Sequence, residues 1–261
     1  MTRTGESLHS ETGLIRGSEN LGAFMPVGDP AVLAADVSKA LAASQALLLS
    51  EDHEFTSRRF ILDKFLQFGI PVHPAAIFAP WQDWMNRSGF GSLQFPTEFV
   101  DFLRTLIPLD IATGIEVGTY RGGSGYFMCS VLQRANPAFR LEVLDIEDNL
   151  IAFEIFSDFL NVEKLITTGS DAVIDRDYDF VFIDGDHSYD GVMADFENVG
   201  QRARKAVAFH DIHAHEFDTL NGGTVRAWNE VKSTLRRNYA IYEFAHSAER
   251  SLGIGLAVRC A

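Results

Sequence analysis

Apolar positions recur at helical spacing in the first part of the chain and gather into short runs in the second part. Asp29 and Pro30 mark the start of a first helix, because Asp caps helix N-termini and Pro suits the first helical position. Apolar residues share one face over residues 54–68 and again in "PTEFVDFLRTLI", residues 96–107, which predicts two more helices. Roughly the first 108 residues are therefore predicted to be helices and loops.

From Ile111 onward, short apolar runs alternate with helical patterns. The predicted strands are Ile111–Val117, Leu141–Ile146, Lys164–Thr168, Tyr178–Asp184, Ala206–His210, Ala240–Phe244 and Gly253–Val258. Alternating strands and helices indicate right-handed crossovers and a mainly parallel sheet. The last two strands are joined by too few residues for a helical crossover, so they are predicted to pair antiparallel. The expected fold is α/β: a Rossmann-like, mainly parallel seven-stranded sheet with helices on both faces, preceded by a helical N-terminal region.

This pattern divides the chain into three parts. Residues 1–28 are polar and without periodicity and are predicted to be a loose arm. Residues 29–108 form the helical N-terminal region, and residues 109–261 form the domain that contains the sheet. Trp81 and Trp84 lie three residues apart on a short helical segment. They either pack in the core or cover a bound ligand.

The net charge of −14 excludes some classes of partner. Nucleic acids and anionic membrane surfaces attract basic proteins, so neither is expected as a partner. The apolar stretch Ala31–Leu49 contains Asp36 and Lys39 and is predicted to be an amphipathic helix rather than a membrane span. Cys129 and Cys260 fit neither a disulfide framework nor a zinc pattern, and the N-terminus lacks the order of a secretory signal. We therefore expect a cytoplasmic protein, and homo-oligomerisation stays open.

Polar residues follow the first three predicted strands of the sheet. The first strand contains Glu116 and runs into a glycine-rich turn, where free N–H groups at a helix start can approach a ligand closely. Asp145 ends the second strand, where an acid can accept hydrogen bonds from ribose hydroxyls. Ser170 and Asp171 follow the third strand. Because ligands of parallel sheets bind outside the carboxyl ends of the strands, these residues predict a nucleotide-like cofactor. The glycine spacing of a nicotinamide dinucleotide fingerprint is missing, so a dehydrogenase is disfavoured.

The fourth and fifth strands end in acids and histidines. Asp184 and His187 lie in "FIDGDHSYDG", and His210 and Asp211 end the next strand. Carboxylates this close repel one another unless a cation, a proton or water compensates their charge. Asp184 and Asp211 could share one divalent cation, for which Mg²⁺ is the natural choice for oxygen ligands. The alternative is a solvated strand end without a ligand.

These motifs resemble the class I S-adenosylmethionine-dependent methyltransferases. The matching stretches are "EVGTYRGG", "LDIED", "TGSD", "DFVFIDGDHSYDGVMADF" and "AVAFHDIH", in the expected order over residues 111–258. The pair "IDGDHSY" and "FHDI" is the most specific. It is similar to the metal-assisted branch of small-molecule O-methyltransferases, near the catechol-type and antibiotic-sugar enzymes. No motif in residues 1–108 matches this family, and residues 29–108 are expected to cover the acceptor site.

The resemblance implies a role for each site residue. Glu116 and the loop from Gly118 through Thr119 to Gly122 would hold the methionine part of S-adenosylmethionine. By the same resemblance, the ribose and adenine would be bound by the next two strand ends, at Asp145, Ser170 and Asp171. Asp184 would be a metal ligand in the catalytic centre, and His187 would be the general base. The expected activity is O-methylation of a hydroxylated small molecule, such as a sugar unit of a natural product.

One position departs from the family pattern. The fifth strand of that branch usually ends in two acidic or amide residues, whereas this chain has His210 and Asp211. With His210 as a third metal ligand, Mn²⁺ or Fe²⁺ becomes an alternative to Mg²⁺, and a site without metal stays open.

Two other functions compete with this prediction. A metal-dependent hydrolase or hydroxylase would use the Asp/His cluster but would leave Glu116, Asp145 and Ser170 without a role. A non-catalytic nucleotide-binding module would leave Asp184 and His187 as structural residues.

Overall fold

The computed structural model describes residues 28–72, 76–246 and 252–260. Its α-helices are α1 (Pro30–Leu48), α2 (Asp52–Phe55), α3 (Arg58–Phe68), α4 (Pro96–Leu106), α5 (Gly123–Ala135), α6 (Phe153–Ser157), α7 (Tyr189–Asn198) and α8 (Gly223–Leu235). Its strands are β1 (Ile70–Pro71), β2 (Met85–Asn86), β3 (Thr113–Val117), β4 (Arg140–Asp145), β5 (Val162–Ile166), β6 (Phe180–Ile183), β7 (Ala206–His210), β8 (Tyr239–Phe244) and β9 (Ile254–Arg259). The predicted arm lies outside the described residues, apart from Gly28.

Seven of the strands form one sheet in the order β5-β4-β3-β6-β7-β9-β8. Strands β3 to β7 pair parallel, whereas β9 pairs antiparallel with both β7 and β8. The predicted mainly parallel sheet and its antiparallel last pair are confirmed. Strands β3 to β7 consequently end at one edge of the sheet, and the predicted site residues lie at or just after these ends.

The sheet is buried on both faces, as parallel sheets usually are. Phe180 and Phe182 of β6 belong to the apolar core on the side of α1, α3, α4 and α5. Val181 and Ile183 alternate with them and belong to the core on the side of α7 and α8. This two-sided burial explains why β6 is an unbroken apolar run that ends abruptly at the polar Asp184.

Phenylalanine rings join the N-terminal region to the sheet. Phe65 packs edge-on against Phe127 of α5 at 4.9 Å between ring centroids, and Phe102 of α4 lies 5.4 Å from Phe182 of β6. Phe99, also on α4, is 6.4 Å from Phe182. The rings belong to one continuous core, so residues 29–108 pack directly on the sheet rather than standing apart from it.

Three local differences from the predicted elements have physical explanations. The helix predicted for residues 54–68 is two helices, because Ser57 breaks the first and caps α3 by accepting a hydrogen bond from the Phe60 N–H. Strand β5 begins at Val162, two residues earlier than predicted, because Val162 is a buried residue paired with Leu141. The segment Ala76–Trp84 is a 3₁₀ helix that contains Pro80.

One described helix, α1, is long and apolar enough to cross a membrane by length and composition. Its buried face includes Ala40, Ala43 and Leu47, which belong to the same core as α3 and α5. The core helix of a folded domain passes the same test, so the amphipathic helix predicted for this stretch agrees with its position.

Candidate active site

The glycine-rich turn between β3 and α5 is packed tightly on its neighbours. Gly118 has a φ of +85°, and a Cβ there would lie 2.3 Å from the carbonyl oxygen of Asp184. A Cβ on Gly123 would lie 1.8 Å from the carbonyl oxygen of Gly91 in the N-terminal region. Glycine is therefore required at both positions. The turn is held between the end of β6 and a segment that precedes α4.

Glu116 lies beneath this turn and is fully buried. The hydroxyl groups of Ser124 and Thr119 lie 2.5 and 3.0 Å from its two carboxyl oxygens. Burial raises the pKa of Glu116 to about 8, although the hydrogen bond from Ser124 opposes the rise. At neutral pH the carboxyl is mostly protonated in the unliganded chain, so its first role is to fix the turn through Thr119 and Ser124.

The raised pKa of Glu116 predicts a pH-dependent stability. In the unfolded chain the carboxyl ionises near the ordinary glutamate pKa of 4.5, whereas in the folded chain it holds its proton up to about 8. The stabilisation is complete below pH 4.5 and is lost as pH rises towards 8. The Glu116→Gln variant, which cannot ionise, should lose less stability than the wild type over this range. Urea denaturation at a series of pH values measures the difference, and parallel curves for the two proteins would refute the buried, protonated carboxyl.

Asp145 ends β4 and faces the same turn. Its two carboxylate oxygens accept hydrogen bonds from the backbone N–H groups of Tyr120, at 2.7 Å, and Glu147, at 3.0 Å. Each oxygen retains a further lone pair for a ligand hydroxyl. The next residue, Ile146, has a large apolar side chain that is 72 % exposed. Sequence reasoning did not single it out.

The third strand end differs from the expected arrangement in one respect. Asp171 is exposed, whereas the buried Ser170 donates a hydrogen bond of 2.6 Å to Asp195 of α7. Asp195 is partly buried. Burial raises its pKa to about 6, against the opposing hydrogen bond from Ser170. Asp195 therefore ties α7 to the segment that follows β5.

The acids and histidines after β6 and β7 do converge. The His210 Nδ1 atom lies 3.0 Å from Asp184 Oδ1 and 3.2 Å from Asp211 Oδ1. The His187 Nε2 atom lies 2.8 Å from Asp211 Oδ2 and 3.8 Å from Asp184 Oδ1. We call these four residues the Asp/His cluster. The interpretation of "FIDGDHSYDG" as a merely solvated strand end does not fit, because Asp184 and His187 are largely buried against Asp211.

Charges within the Asp/His cluster balance. Burial lowers the pKa of His187, but the neighbouring carboxylates of Asp184 and Asp211 outweigh burial and raise the pKa to about 10. The same opposition raises the pKa of His210 to about 9. For Asp184, burial raises the pKa, yet His210 and His187 lower it well below its usual range. At neutral pH two imidazolium groups thus compensate two carboxylates.

The donor set is also suited to a metal ion. Ligand atoms of Asp184, His187 and Asp211 all lie within 4.8 Å of one another. The buried His210 Nε2 atom has no hydrogen-bond partner among the described residues, whereas the buried Asp211 Oδ1 atom forms an ion pair there with His210 Nδ1. This group contains the predicted ligands Asp184 and Asp211 but has the predicted base His187 in place of His210, whose Nδ1 atom lies 3.0 Å from Asp184 Oδ1.

Two contacts to the cluster were not predicted from the sequence. Phe217 stacks on His187, with ring centroids 4.3 Å apart and ring planes 14° from parallel. The Gln94 Nε2 group of the N-terminal region donates a hydrogen bond of 2.8 Å to Asp184 Oδ2. Of the other two histidines near the cluster, His215 is exposed and pairs with Asp218, and His213 makes a backbone hydrogen bond to Leu252.

Comparison with known families gives one match. Residues 115–212, from β3 to just past the end of β7, match a family described as "Methyltransferase domain". This range contains every predicted cofactor and Asp/His residue. No curated protein matches the chain.

Solved structures agree on the fold. One similar structure is TomG, an O-methyltransferase from Streptomyces achromogenes that is involved in tomaymycin synthesis and was solved with S-adenosylmethionine. It is 16 % identical to this chain, with a TM-score of 0.52, and the match covers 87 % of this chain and 96 % of TomG. An O-methyltransferase from Bacillus cereus, solved with S-adenosylhomocysteine, is 15 % identical with a TM-score of 0.51, covering 86 % of this chain and 100 % of that one.

The sheet order agrees with the class I methyltransferase fold predicted from the motifs. The prediction of a methyltransferase is confirmed over residues 115–212, where the family matches, and this match favours neither the hydrolase nor the non-catalytic alternative.

Proposed function

We propose that the protein is an S-adenosylmethionine-dependent O-methyltransferase that acts on a hydroxylated small molecule with the help of a divalent cation. The observation that carries the proposal is the position of the Asp/His cluster. It lies one strand away from the glycine-rich turn, since β6 pairs directly with β3. The backbone contact of Gly118 with Asp184 makes the two sites adjacent.

The proposed cofactor site follows the strand ends in order. The methionine part lies on the turn from Gly118 to Gly122, whose shape depends on Glu116 and Thr119. Asp145 accepts hydrogen bonds from the ribose, and the adenine ring covers the exposed side chain of Ile146. Ser170 and Asp171 lie at the far side of the adenine. The solved S-adenosylmethionine and S-adenosylhomocysteine complexes with the same fold support this placement.

The cofactor proposal predicts a loss of affinity in Asp145→Ala. The variant removes an anionic acceptor, and hydrogen bonds to charged groups contribute about 1.5–3 kcal/mol, so affinity should fall at least about tenfold. Calorimetric titration with S-adenosylhomocysteine measures the change. Glu147→Ala, which removes the exposed acid two residues away, is the matched control and should bind normally. Equal affinities for the two variants would contradict the placement of the ribose.

The cation proposal assigns Asp184 and Asp211 as oxygen ligands, with His210 as the neighbouring nitrogen donor. Asp184 and Asp211 belong to a group whose ligand atoms lie within 4.8 Å of one another, and the Nδ1 atom of His210 lies 3.0 Å from Asp184 Oδ1, which fits a small divalent ion such as Mg²⁺ or Mn²⁺. When bound, a cation would supply positive charge that stabilises the alkoxide of the acceptor. The residues of the chain would align the acceptor oxygen with the methyl group and take up the proton of the acceptor hydroxyl.

His187 is proposed as the group that takes up this proton. In the balanced cluster its imidazole is protonated at neutral pH, because Asp184 and Asp211 raise its pKa. It becomes a proton acceptor when a bound cation takes up the negative charge of these carboxylates, because metal binding displaces protons from its surroundings. Phe217 stacks on the ring and keeps it facing the carboxylates.

The balanced charges also support a second candidate, a methyltransferase that works without metal. Two imidazolium groups already compensate the two carboxylates, so no cation is required for charge balance. In that case the Asp211 carboxylate, held by His187 at 2.8 Å, would accept the proton that the acceptor hydroxyl loses on methylation.

The proposed function is tested by methyl transfer from S-adenosylmethionine labelled in its methyl group. The purified chain is incubated with a panel of sugars, catechols and other hydroxylated compounds, with and without Mg²⁺. Mass spectrometry should find the labelled methyl group on oxygen. Label on nitrogen or carbon only, or no S-adenosylmethionine binding at all, would contradict the proposal.

A further inference from the structure

Gln94 is the N-terminal region's polar contact with the Asp/His cluster among the described hydrogen bonds. It lies between β2 and α4, 90 residues before Asp184, and only 3 % of it is exposed. Its Nε2 group donates to Asp184 Oδ2, while Asp184 Oδ1 faces His210 and His187. One carboxylate oxygen of Asp184 thus contacts the N-terminal region, and the other contacts the histidines.

The orientation of the Gln94 amide follows from this contact. An ionised carboxylate only accepts hydrogen bonds, so the atom that faces Asp184 must be the nitrogen. The other end of the same planar group, Oε1, is buried and has no hydrogen-bond partner among the described residues. Buried carbonyl oxygens are rarely left without a donor, so this oxygen points to a donor from outside the described residues.

The segment that precedes Gln94 is anchored to the end of α3 and to the glycine-rich turn. The Asn86 side chain donates to the backbone oxygens of Phe68 and Phe90. Arg121 of the glycine-rich turn donates to the Gly89 oxygen, and the Ser92 N–H bonds to the Gly69 oxygen. Gln94 therefore sits on a backbone that is fixed relative to the cofactor turn, which is what a precise contact with Asp184 requires.

We propose that Gln94 is a positioning residue that fixes the carboxylate of Asp184 and thereby makes the N-terminal region part of the catalytic site. This inference rests on the proposed function. A neutral amide holds Oδ2 without adding charge, so Oδ1 stays directed at the histidines and at the cation position. The Oε1 atom is then the acceptor for a hydroxyl group of the bound small molecule.

The role of Gln94 explains why residues without a recognisable motif belong to the site. Removing a partner that orients a ligating carboxylate or imidazole commonly changes metal affinity about 10- to 100-fold, because the ligand loses its fixed orientation. The N-terminal region would thus influence chemistry through one side chain as well as cover the acceptor.

The test compares Gln94→Met with Gln133→Met in the full chain. Methionine keeps the length of glutamine and removes both hydrogen-bonding atoms. Gln133 is the matched control, because its amide bonds to Phe159 and Asn161 away from the site. Gln94→Met should weaken Mn²⁺ binding, followed by electron paramagnetic resonance, about 10- to 100-fold. Its affinity for S-adenosylhomocysteine and its melting temperature should match those of Gln133→Met.

A second readout is independent of metal. Long-range ¹H–¹⁵N spectra of the imidazole rings should show shifted His187 and His210 signals in Gln94→Met but not in Gln133→Met. If the wild type binds no Mn²⁺, the cation part of the proposed function fails and these spectra alone decide the role of Gln94. Unchanged imidazole signals, with Mn²⁺ affinity either unchanged or absent, would overturn the inference. A loss of melting temperature without shifted signals would make Gln94 merely structural and would overturn it too.

Discussion

Replacing His187 by alanine is expected to lower turnover by about 10²- to 10⁴-fold, the usual contribution of a positioned general base. The imidazole Nε2 atom lies 2.8 Å from Asp211 Oδ2, and the ring is held in place by stacking on Phe217. Alanine removes both the proton acceptor and this stacking. Turnover is measured with an acceptor found by the labelled-methyl screen. Affinity for S-adenosylhomocysteine should stay at the wild-type value, because His187 is not part of the proposed cofactor site.

Two experiments, the Asp184→Asn variant and exhaustive chelation, distinguish the role of the metal from the role of the base. Asp184→Asn keeps the shape of the side chain but removes the charge that holds both histidines and the cation. It should abolish turnover, as chelation should, while cofactor affinity is retained. Wild-type turnover after chelation would show that methyl transfer needs no metal. His187 would then act in an Asp/His cluster whose own charges compensate one another. Loss of Mn²⁺ binding in His187→Ala, but not in His210→Ala, would make His187 a ligand instead of the base.

Removing residues 1–108 is expected to abolish both solubility and turnover. The truncated chain would expose the apolar core in which Phe127 of α5 and Phe180 and Phe182 of β6 are fully buried together with residues of α3 and α4. Large exposed apolar patches cause association. The truncated chain would also lack Gln94 and the Gly91 contact with the glycine-rich turn. Size-exclusion chromatography and dye binding measure the exposed apolar surface, and labelled-methyl transfer measures turnover.

A shorter N-terminal truncation is the control for this prediction. Deleting residues 1–27 leaves α1 and every described contact of the N-terminal region in place, so the shorter chain should remain folded. A soluble, monomeric and active chain that begins at residue 109 would show that the N-terminal region is dispensable. It would also contradict the proposed role of Gln94.

The sheet was predictable because its strands are buried on both faces. Long apolar runs such as that of β6 stand out in the sequence, and each strand ends where a polar residue reaches the ligand edge. Strand β5 was the least accurately predicted, because it is an edge strand and its Glu163 and Lys164 are exposed. The break between α2 and α3 depends on a single cap, Ser57, within an otherwise continuous helical pattern.

Within the site, residues that belong to a sequence motif were predictable. Residues that reach the site only through tertiary packing were not. Asp184 and Asp211 follow neighbouring strands, and their proximity follows from the parallel sheet. Gln94 reaches Asp184 only because the aromatic core places α3 and α4 on the sheet, a long-range result without a local pattern. Burial likewise decides that Asp195 is a structural acid rather than a solvated one, and no spacing in the sequence indicates that.

The central claim is that the cofactor turn and the Asp/His cluster form one methyl-transfer site. A crystal structure of the wild-type chain with S-adenosylhomocysteine and Mn²⁺ tests it most directly. We expect the cofactor along the ends of β3, β4 and β5, with its sulfur towards Asp184, and an anomalous Mn²⁺ peak in contact with Asp184 and Asp211. A cofactor bound elsewhere, or an Mn²⁺ peak away from these two carboxylates, would show that the two do not form one site.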